Sequence, residues 1–281
     1  MRIFLTGGTG FIGANFINAA ITAGHEIVAM KRAQSKTRIP LVHEPIWVEG
    51  SLDSNWRRAL TGCDVLVHLA SHTANPPYDT LANCLYWNAY ASLQLAEQAL
   101  EVGVKRFLVA GSCFEYGASA SRFHRIPVTA PLEPTLSYPS SKAAASVAFN
   151  CLAAEHGLQV KILRLFQVYG TGEQETRLWP SLHRAALEGR DFPMSHGEQV
   201  RDFIEVNDVA KEFVTALDFR DTEHGIARFR NIGSGKAQTL REFAEYWWRH
   251  WEAPGQLLFG AIPYRKNELM RLVPELDLEK H

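Results

Sequence analysis

Along the first half of the chain, short apolar runs alternate with longer segments whose apolar residues recur at helical spacing. Arg2–Thr6, Glu26–Met30, Ile46–Glu49, Val65–Leu69, Arg106–Ala110 and Gln159–Leu165 read as strands, and Gly13–Ala23 and Tyr86–Val102 as helices. Strands separated by helices of this length predict βαβ units and an α/β fold built on a doubly wound parallel sheet. In such a sheet, ligands sit beyond the carboxyl ends of the strands, where the strand order reverses.

The rhythm changes after Leu165. Residues 166–204 are rich in loop formers, among them Gly170, Gly172, Pro180, Gly189, Pro193 and Gly197. Phe203–Val206 and Arg228–Ile232 read as two further strands that return to the main sheet. A helix from about Thr239 then carries Phe243, Tyr246, Trp247 and Trp251. This aromatic cluster is expected to pack beneath a second, smaller region rather than to face a partner.

Composition acts mainly by exclusion. With 46% apolar and 21% charged residues and a formal net charge of -1, the 281-residue chain has no global field drawing it to nucleic acid or an anionic membrane. Cys63, Cys84, Cys113 and Cys151 lack metal-ligand spacing, so free thiols and no metal site are expected. No apolar run approaches the roughly 18 residues that span a bilayer. The first strand begins at Arg2, so no leader and a cytoplasmic location are expected.

The first local chemistry follows the first strand, in Thr6-Gly7-Gly8-Thr9-Gly10-Phe11-Ile12-Gly13. Gly7, Gly10 and Gly13 form a variant of the dinucleotide fingerprint. Glycines let backbone N–H groups approach a pyrophosphate, and the helix that follows offers its positive N-terminal end. At the end of the second strand, an acidic residue would bind a free ribose 2′-hydroxyl and repel a 2′-phosphate. Met30-Lys31-Arg32 stands there instead, with Ser35 and Lys36 behind, so NADP(H) is expected in preference to NAD(H).

Tyr138-Pro139-Ser140-Ser141-Lys142 sets a tyrosine and a lysine one helical turn apart, with Pro139 suited to the first helical position. A phenol is a poor acid–base catalyst at neutral pH unless a neighbouring ammonium lowers its pKa. Upstream, Ser112 follows the strand ending at Ala110, where the cofactor crevice is expected.

TGGTGFIG (6–13), DVLVHLAS (64–71), YWNAYAS (86–92), SCFEYG (112–117), YPSSK (138–142), LRLFQVYG (163–170), VRDFIEVNDVA (200–210) and NIGSG (231–235) occur in this order. In them the chain resembles, over nearly its whole length, the NAD(P)-dependent epimerase/dehydratase branch of the extended short-chain dehydrogenases/reductases. The resemblance implies a Rossmann-type domain of residues 1–166 and 204–235 and a discontinuous substrate-binding region of 167–203 and 236–281. It implies that Tyr138 exchanges a proton with the substrate oxygen, Ser112 hydrogen-bonds that oxygen and Lys142 holds the nicotinamide ribose. Phe11, Ile12, Ser51, Leu52, Leu69, Ala70, Ser71 and Asn88 are implied on the cofactor. Cys113, Phe114, Gln167, Arg177, Leu178, Arg201 and Arg265 are implied on a nucleotide-sugar substrate, with Arg201 and Arg265 on its diphosphate. A salt bridge of Arg201 with Asp202 or Asp208 is the alternative. The resemblance also implies a homodimer through a four-helix bundle of helices around 86–102 and 139–156.

The sugar 4,6-dehydratases of this family carry Asp-Glu where Cys113 and Phe114 stand, and Phe114 cannot transfer a proton. Cys113 lies one place before the acid–base cysteine of the GDP-fucose synthases and reads as a small buried thiol. Redox chemistry at one carbon is left. The basic loop favours an NADPH-dependent reductase of a nucleotide-activated 4-keto-6-deoxy sugar. An NAD-dependent NDP-hexose 4-epimerase is the alternative; a carbonyl reductase of a non-nucleotide substrate and a non-catalytic NADP(H)-binding protein rank lower. Glu115 stands where the family usually has an apolar residue.

Overall fold

The computed structural model describes residues 1–265 and 268–276. The chain runs β1 (Arg2–Thr6), α1 (Phe11–Thr22), β2 (Glu26–Lys31), β3 (Ile46–Glu49), α2 (Arg57–Leu60), β4 (Val65–His68), α3 (Leu81–Leu85), a π-helical segment (Tyr86–Tyr90), α4 (Ala91–Glu101) and β5 (Arg106–Ser112). Two 3-10 turns (Cys113–Tyr116 and Ala118–Arg122) lead to α5 (Ser137–His156), β6 (Gln159–Leu165) and β7 (Gln167–Tyr169). Then come α6 (Leu178–Leu187), β8 (Phe192–Met194), β9 (Val200–Glu205), α7 (Val206–Thr215), β10 (Arg228–Ile232), β11 (Ala237–Thr239), α8 (Leu240–His250), β12 (Leu257–Phe259) and β13 (Arg271–Leu272).

Seven parallel strands form the main sheet in the order β10-β6-β5-β4-β1-β2-β3. The order reverses at β1, so the crevice opens where β1 and β4 part at their carboxyl ends. Successive side chains of each strand enter opposite cores. Phe4, Leu66 and Phe107 pack with Leu95 of α4 and Phe149 of α5 on one face. Ile3, Leu5, Val65 and Val67 pack with Phe16 of α1 and Phe213 of α7 on the other. Both faces are covered, which is why these strands read as continuous apolar runs.

Two expectations about elements are corrected. Phe203–Val206 does not return to the main sheet: β9 pairs with β7, β11 and β13 in a smaller sheet, and only β10 goes back, beside β6. The helix bearing Tyr138 begins at Ser137 rather than at Pro139, whose missing N–H is tolerated within the first turn. The aromatic cluster packs within the chain, as expected. Trp179 of α6 meets Trp247 and Trp251, and Tyr169 meets Phe243. Among the described residues, no helix is long and apolar enough to cross a membrane.

Candidate active site

A cleft of about 620 Å³ runs along the carboxyl ends of β1, β2, β4 and β5. Its floor is the turn between β1 and α1. Gly7 takes a φ of 75°, and a Cβ there would stand 2.6 Å from the Ala70 backbone nitrogen. At Gly13, a Cβ would stand 2.1 Å from the Gly7 carbonyl oxygen, because α1 sits directly on the turn. The glycines thus serve close backbone approach, as read from the sequence. The N-terminus of α1, capped by Gly10 with no side-chain hydrogen bond, opens toward the cleft. A cradle of this shape fits a pyrophosphate, with Gly7, Gly10, Phe11, Ile12 and Gly13 as the residues that would hold it.

Lys31, Arg32, Ser51, Leu52, Leu69, Ala70, Ser71 and Asn88 all line the same cleft. The charge at the second strand's end is less simple than expected. Lys31 lies 3.4 Å from Glu49 of the neighbouring strand and 5.6 Å above the Trp47 ring, so β3 supplies the carboxylate that the carboxyl end of β2 lacks. Asn88 is engaged by protein on both amide atoms. It accepts the His72 N–H at 2.7 Å and donates to the His72 carbonyl at 3.1 Å and to Ser141 at 2.9 Å. Beneath it, burial pushes His68 down to about 3, and the neutral ring bridges Thr6 (2.8 Å) and Ser92 (3.0 Å).

Tyr138, Ser112 and Ser71 converge at the inner end, where both serines act on the Tyr138 phenol. Tyr78 packs against the Tyr138 ring at 5.4 Å between centroids. The expected lowering of the Tyr138 pKa is absent: burial pushes the phenol up to about 12, against the pull of the two serines. Lys142 stands behind the cleft wall, not on it. It is 4% exposed, and its ammonium donates to the Ala110 carbonyl at 2.6 Å rather than to the phenol. Burial draws the lysine down and Glu115 holds it up.

Of the expected substrate residues, Ser112, Cys113, Phe114, Gln167 and Arg177 line the cleft, whereas Leu178, Arg201 and Arg265 do not. Arg201 is 7% exposed and pairs with Glu268 at 2.9 Å, not with Asp202 or Asp208. Asp202 is used by the Ser234 and Gly235 N–H groups at 2.6 and 2.8 Å. Arg265 is exposed, and its charge is felt at Tyr78. Burial pushes the Cys113 thiol up to about 12, as suits an inert thiol.

The sequence reading did not single out Glu173, Gln174 or Asn75. Asn75 donates to Gln174 at 2.6 Å, joining two loops that both line the cleft. Glu173 accepts from Arg177 at 3.3 Å, while its other oxygen is buried without a partner. Burial pushes this carboxyl up to about 7. The one local sign was the Glu173/Arg177 spacing of one helical turn, which is common on solvated surfaces.

A parallel sheet that reverses beside a glycine cradle, with Tyr138 and Ser112 at the inner end of the crevice and Lys142 behind its wall, defines an NAD(P)-dependent enzyme of the extended short-chain dehydrogenase/reductase type. The pattern of the NAD dependent epimerase/dehydratase family matches residues 3–233, and the chain belongs to that family. It is 27% identical over 266 residues to a UDP-glucose 4-epimerase of Corynebacterium glutamicum, covering 87% of this chain and 79% of the relative. It is 26% identical over 282 residues to a CDP-abequose synthase of Salmonella typhimurium, covering 95% and 87%. The structure of an NAD-dependent NDP-hexosamine 5,6-dehydratase involved in tunicamycin biosynthesis is similar with a TM-score of 0.86 at 26% identity, covering 99% of this chain and 89% of that one.

Proposed function

We propose that this chain interconverts hydroxyl and keto states at C4 of a nucleotide-activated hexose, as an NDP-hexose 4-epimerase. The observation that carries this reading, among the described residues, is that the two positions after Ser112 offer no ready proton-transfer group. The neighbouring cleft positions hold Phe114, which has no proton to give, and Cys113, whose thiol stays neutral with a pKa of about 12. That set suits redox at one carbon and disfavours elimination of water, which needs a further acid and base. The similarity to a UDP-glucose 4-epimerase over 87% of the chain supports the same reading.

A nicotinamide dinucleotide held on the glycine cradle supplies the redox chemistry. The chain's own residues hold and move the proton. Tyr138 Oη takes it from the C4 hydroxyl only as a phenolate and, as the neutral phenol, returns it to the C4 oxygen, while Ser112 Oγ hydrogen-bonds that oxygen. Lys142, behind the phenol, supplies positive charge to a developing phenolate. Gln167 and Arg177 at the outer wall suit a diphosphate by hydrogen bonding and charge.

The second reading is an NADPH-dependent 4-keto-sugar reductase, favoured by Lys31 and Arg32 on the cleft wall. The two part on cofactor handling: an epimerase recycles a retained cofactor, whereas a reductase exchanges it every turnover. Any cofactor carried through purification is identified, and the stripped protein is titrated with NADH and NADPH by calorimetry. Tightly retained NAD with epimerisation of an NDP-hexose supports the first reading. An NADPH preference that collapses in Lys31→Ala/Arg32→Ala overturns it in favour of the reductase. A homodimer through the 86–101 segment and α5 belongs to both readings, supported by the exposed Tyr90 on the π-helical segment and Val147 on α5 and checked by light scattering.

A further inference from the structure

Glu115 is completely buried on the 3-10 turn that leaves β5. One carboxylate oxygen accepts the Ser112 N–H at 2.7 Å, while the Ser112 hydroxyl accepts the Phe114 N–H at 3.2 Å, so the two side chains cap the turn reciprocally. The other oxygen accepts from Arg164 Nε at 2.9 Å and from Ser146 Oγ at 2.8 Å. Arg164, on β6 and 4% exposed, reaches on to the Tyr116 hydroxyl at 3.1 Å and the Val128 carbonyl at 3.0 Å. Ser146 lies on α5 one turn beyond Lys142, which lies one turn beyond Tyr138.

Stability does not explain this carboxylate, because a buried ion pair can be replaced by well-packed apolar groups at little or no loss. Its position suggests another reason. Lys142 is buried and, among the described residues, bonds one carbonyl, an environment that favours loss of its proton. Glu115, bonded to Ser146 one turn along α5 from Lys142, is the anion whose charge acts on it, and Arg164 is the cation paired with that anion. The remaining titratable groups around Glu115 are Cys113 and Tyr116 on its own turn and Tyr138 on α5. Burial pushes all three upward, so they stand neutral near pH 7. From β10 comes Asn231, which is uncharged and accepts from Tyr116 at 2.6 Å.

We propose that Glu115 is a positioning residue of the site: clamped by Arg164 and Ser146, its carboxylate fixes the Ser112 end of β5 and supplies the buried counter-charge that keeps Lys142 an ammonium behind Tyr138. The proposal rests on Tyr138, Ser112 and Lys142 being the working set, as above. The Glu115 charge raises both Tyr138 and Lys142, so removing it lowers each. In Glu115→Gln both groups therefore titrate at lower pH.

The test follows Lys142 itself by carbon NMR of protein labelled at lysine Cε, the resonance being assigned by its absence in Lys142→Met. The expected result is a Lys142 titration lowered by about one pH unit or more in Glu115→Gln, and restored toward the parent value in Glu115→Asp. If Glu115→Gln does not fold, Glu115→Val/Arg164→Met removes both charges together and is expected to lower Lys142 in the same direction. A Lys142 titration that stays in place in the folded variants overturns the proposal and leaves Glu115 a structural anchor. The readout needs no substrate. Absence of turnover in the parent protein would count against the epimerase and reductase readings alone.

Discussion

Glu173 offers a quantitative test of how the cleft is built. Its side chain is 5% exposed, one oxygen has no partner, and burial pushes its carboxyl from 4.5 up to about 7. In the unfolded chain the group titrates near 4.5. Below that pH both states are protonated and the residue is neutral in the balance. Between 4.5 and about 7 the unfolded chain gives up the proton while the folded protein keeps it, so stability falls as pH rises. Above about 7 the full penalty applies, about 3 kcal/mol from the shift.

Glu173→Gln mimics the protonated acid and removes the penalty. The ionic part of its 3.3 Å contact with Arg177 is already contained in that shift. The expected net is a gain of about 3 kcal/mol at pH 8, shrinking to nearly nothing at pH 4.5. Urea unfolding of both proteins at pH 4.5, 6 and 8 measures it. A difference that does not change with pH, or a variant less stable at pH 8, refutes the reasoning. The same charge bears on ligand binding, because Glu173 lines the cleft and its ionised form opposes an anionic dinucleotide. Dinucleotide affinity should fall above about pH 7 in the parent and stay level in Glu173→Gln, read by calorimetry.

Gly13→Ala sets a Cβ 2.1 Å from the Gly7 carbonyl oxygen, so dinucleotide binding should be lost with at least about 2 kcal/mol of stability, measured by calorimetry and thermal unfolding. Cys113→Ala should keep turnover within a few-fold, since a thiol with a pKa of about 12 moves no proton at pH 7; a hundred-fold loss would restore it as an acid–base group. Asn75→Ala should speed dinucleotide release in stopped-flow without changing the redox step, because it cuts the 2.6 Å link to Gln174 between two cleft loops. Glu49→Gln should release Lys31 and raise NADPH affinity relative to NADH by several-fold in paired titrations.

The fold was legible because its signals are local. Strands buried on both faces, such as Val65–His68, must be continuous apolar runs, and a turn on which a helix sits as closely as α1 does must be glycine. Phe203–Val206 failed for the same reason. An apolar run announces a strand but not its neighbours, and β9 is long enough to pair with β7, β11 and β13 elsewhere. Arg201 failed similarly: a motif places the residue, while Glu268, 67 positions later, takes its charge.

Which residues gather at the cleft was legible and their electrostatics less so, and the cause is the same in each case. Tyr138 and Lys142 stand one turn apart as the sequence requires, yet the lysine bonds a carbonyl of β5 and the phenol is raised, not lowered, by the wall around it. Lys31 looked unopposed along its own strand, but parallel pairing brings Glu49 directly beside it. A pKa is set by burial and by charges that arrive from other strands, neither of which is written near the residue concerned. Glu115 makes the point most directly. From the sequence it was an acid at an apolar position; in the fold it pairs with Arg164, its charge acts on Lys142, and it ties β5, β6 and α5 together behind the reacting end of the cleft.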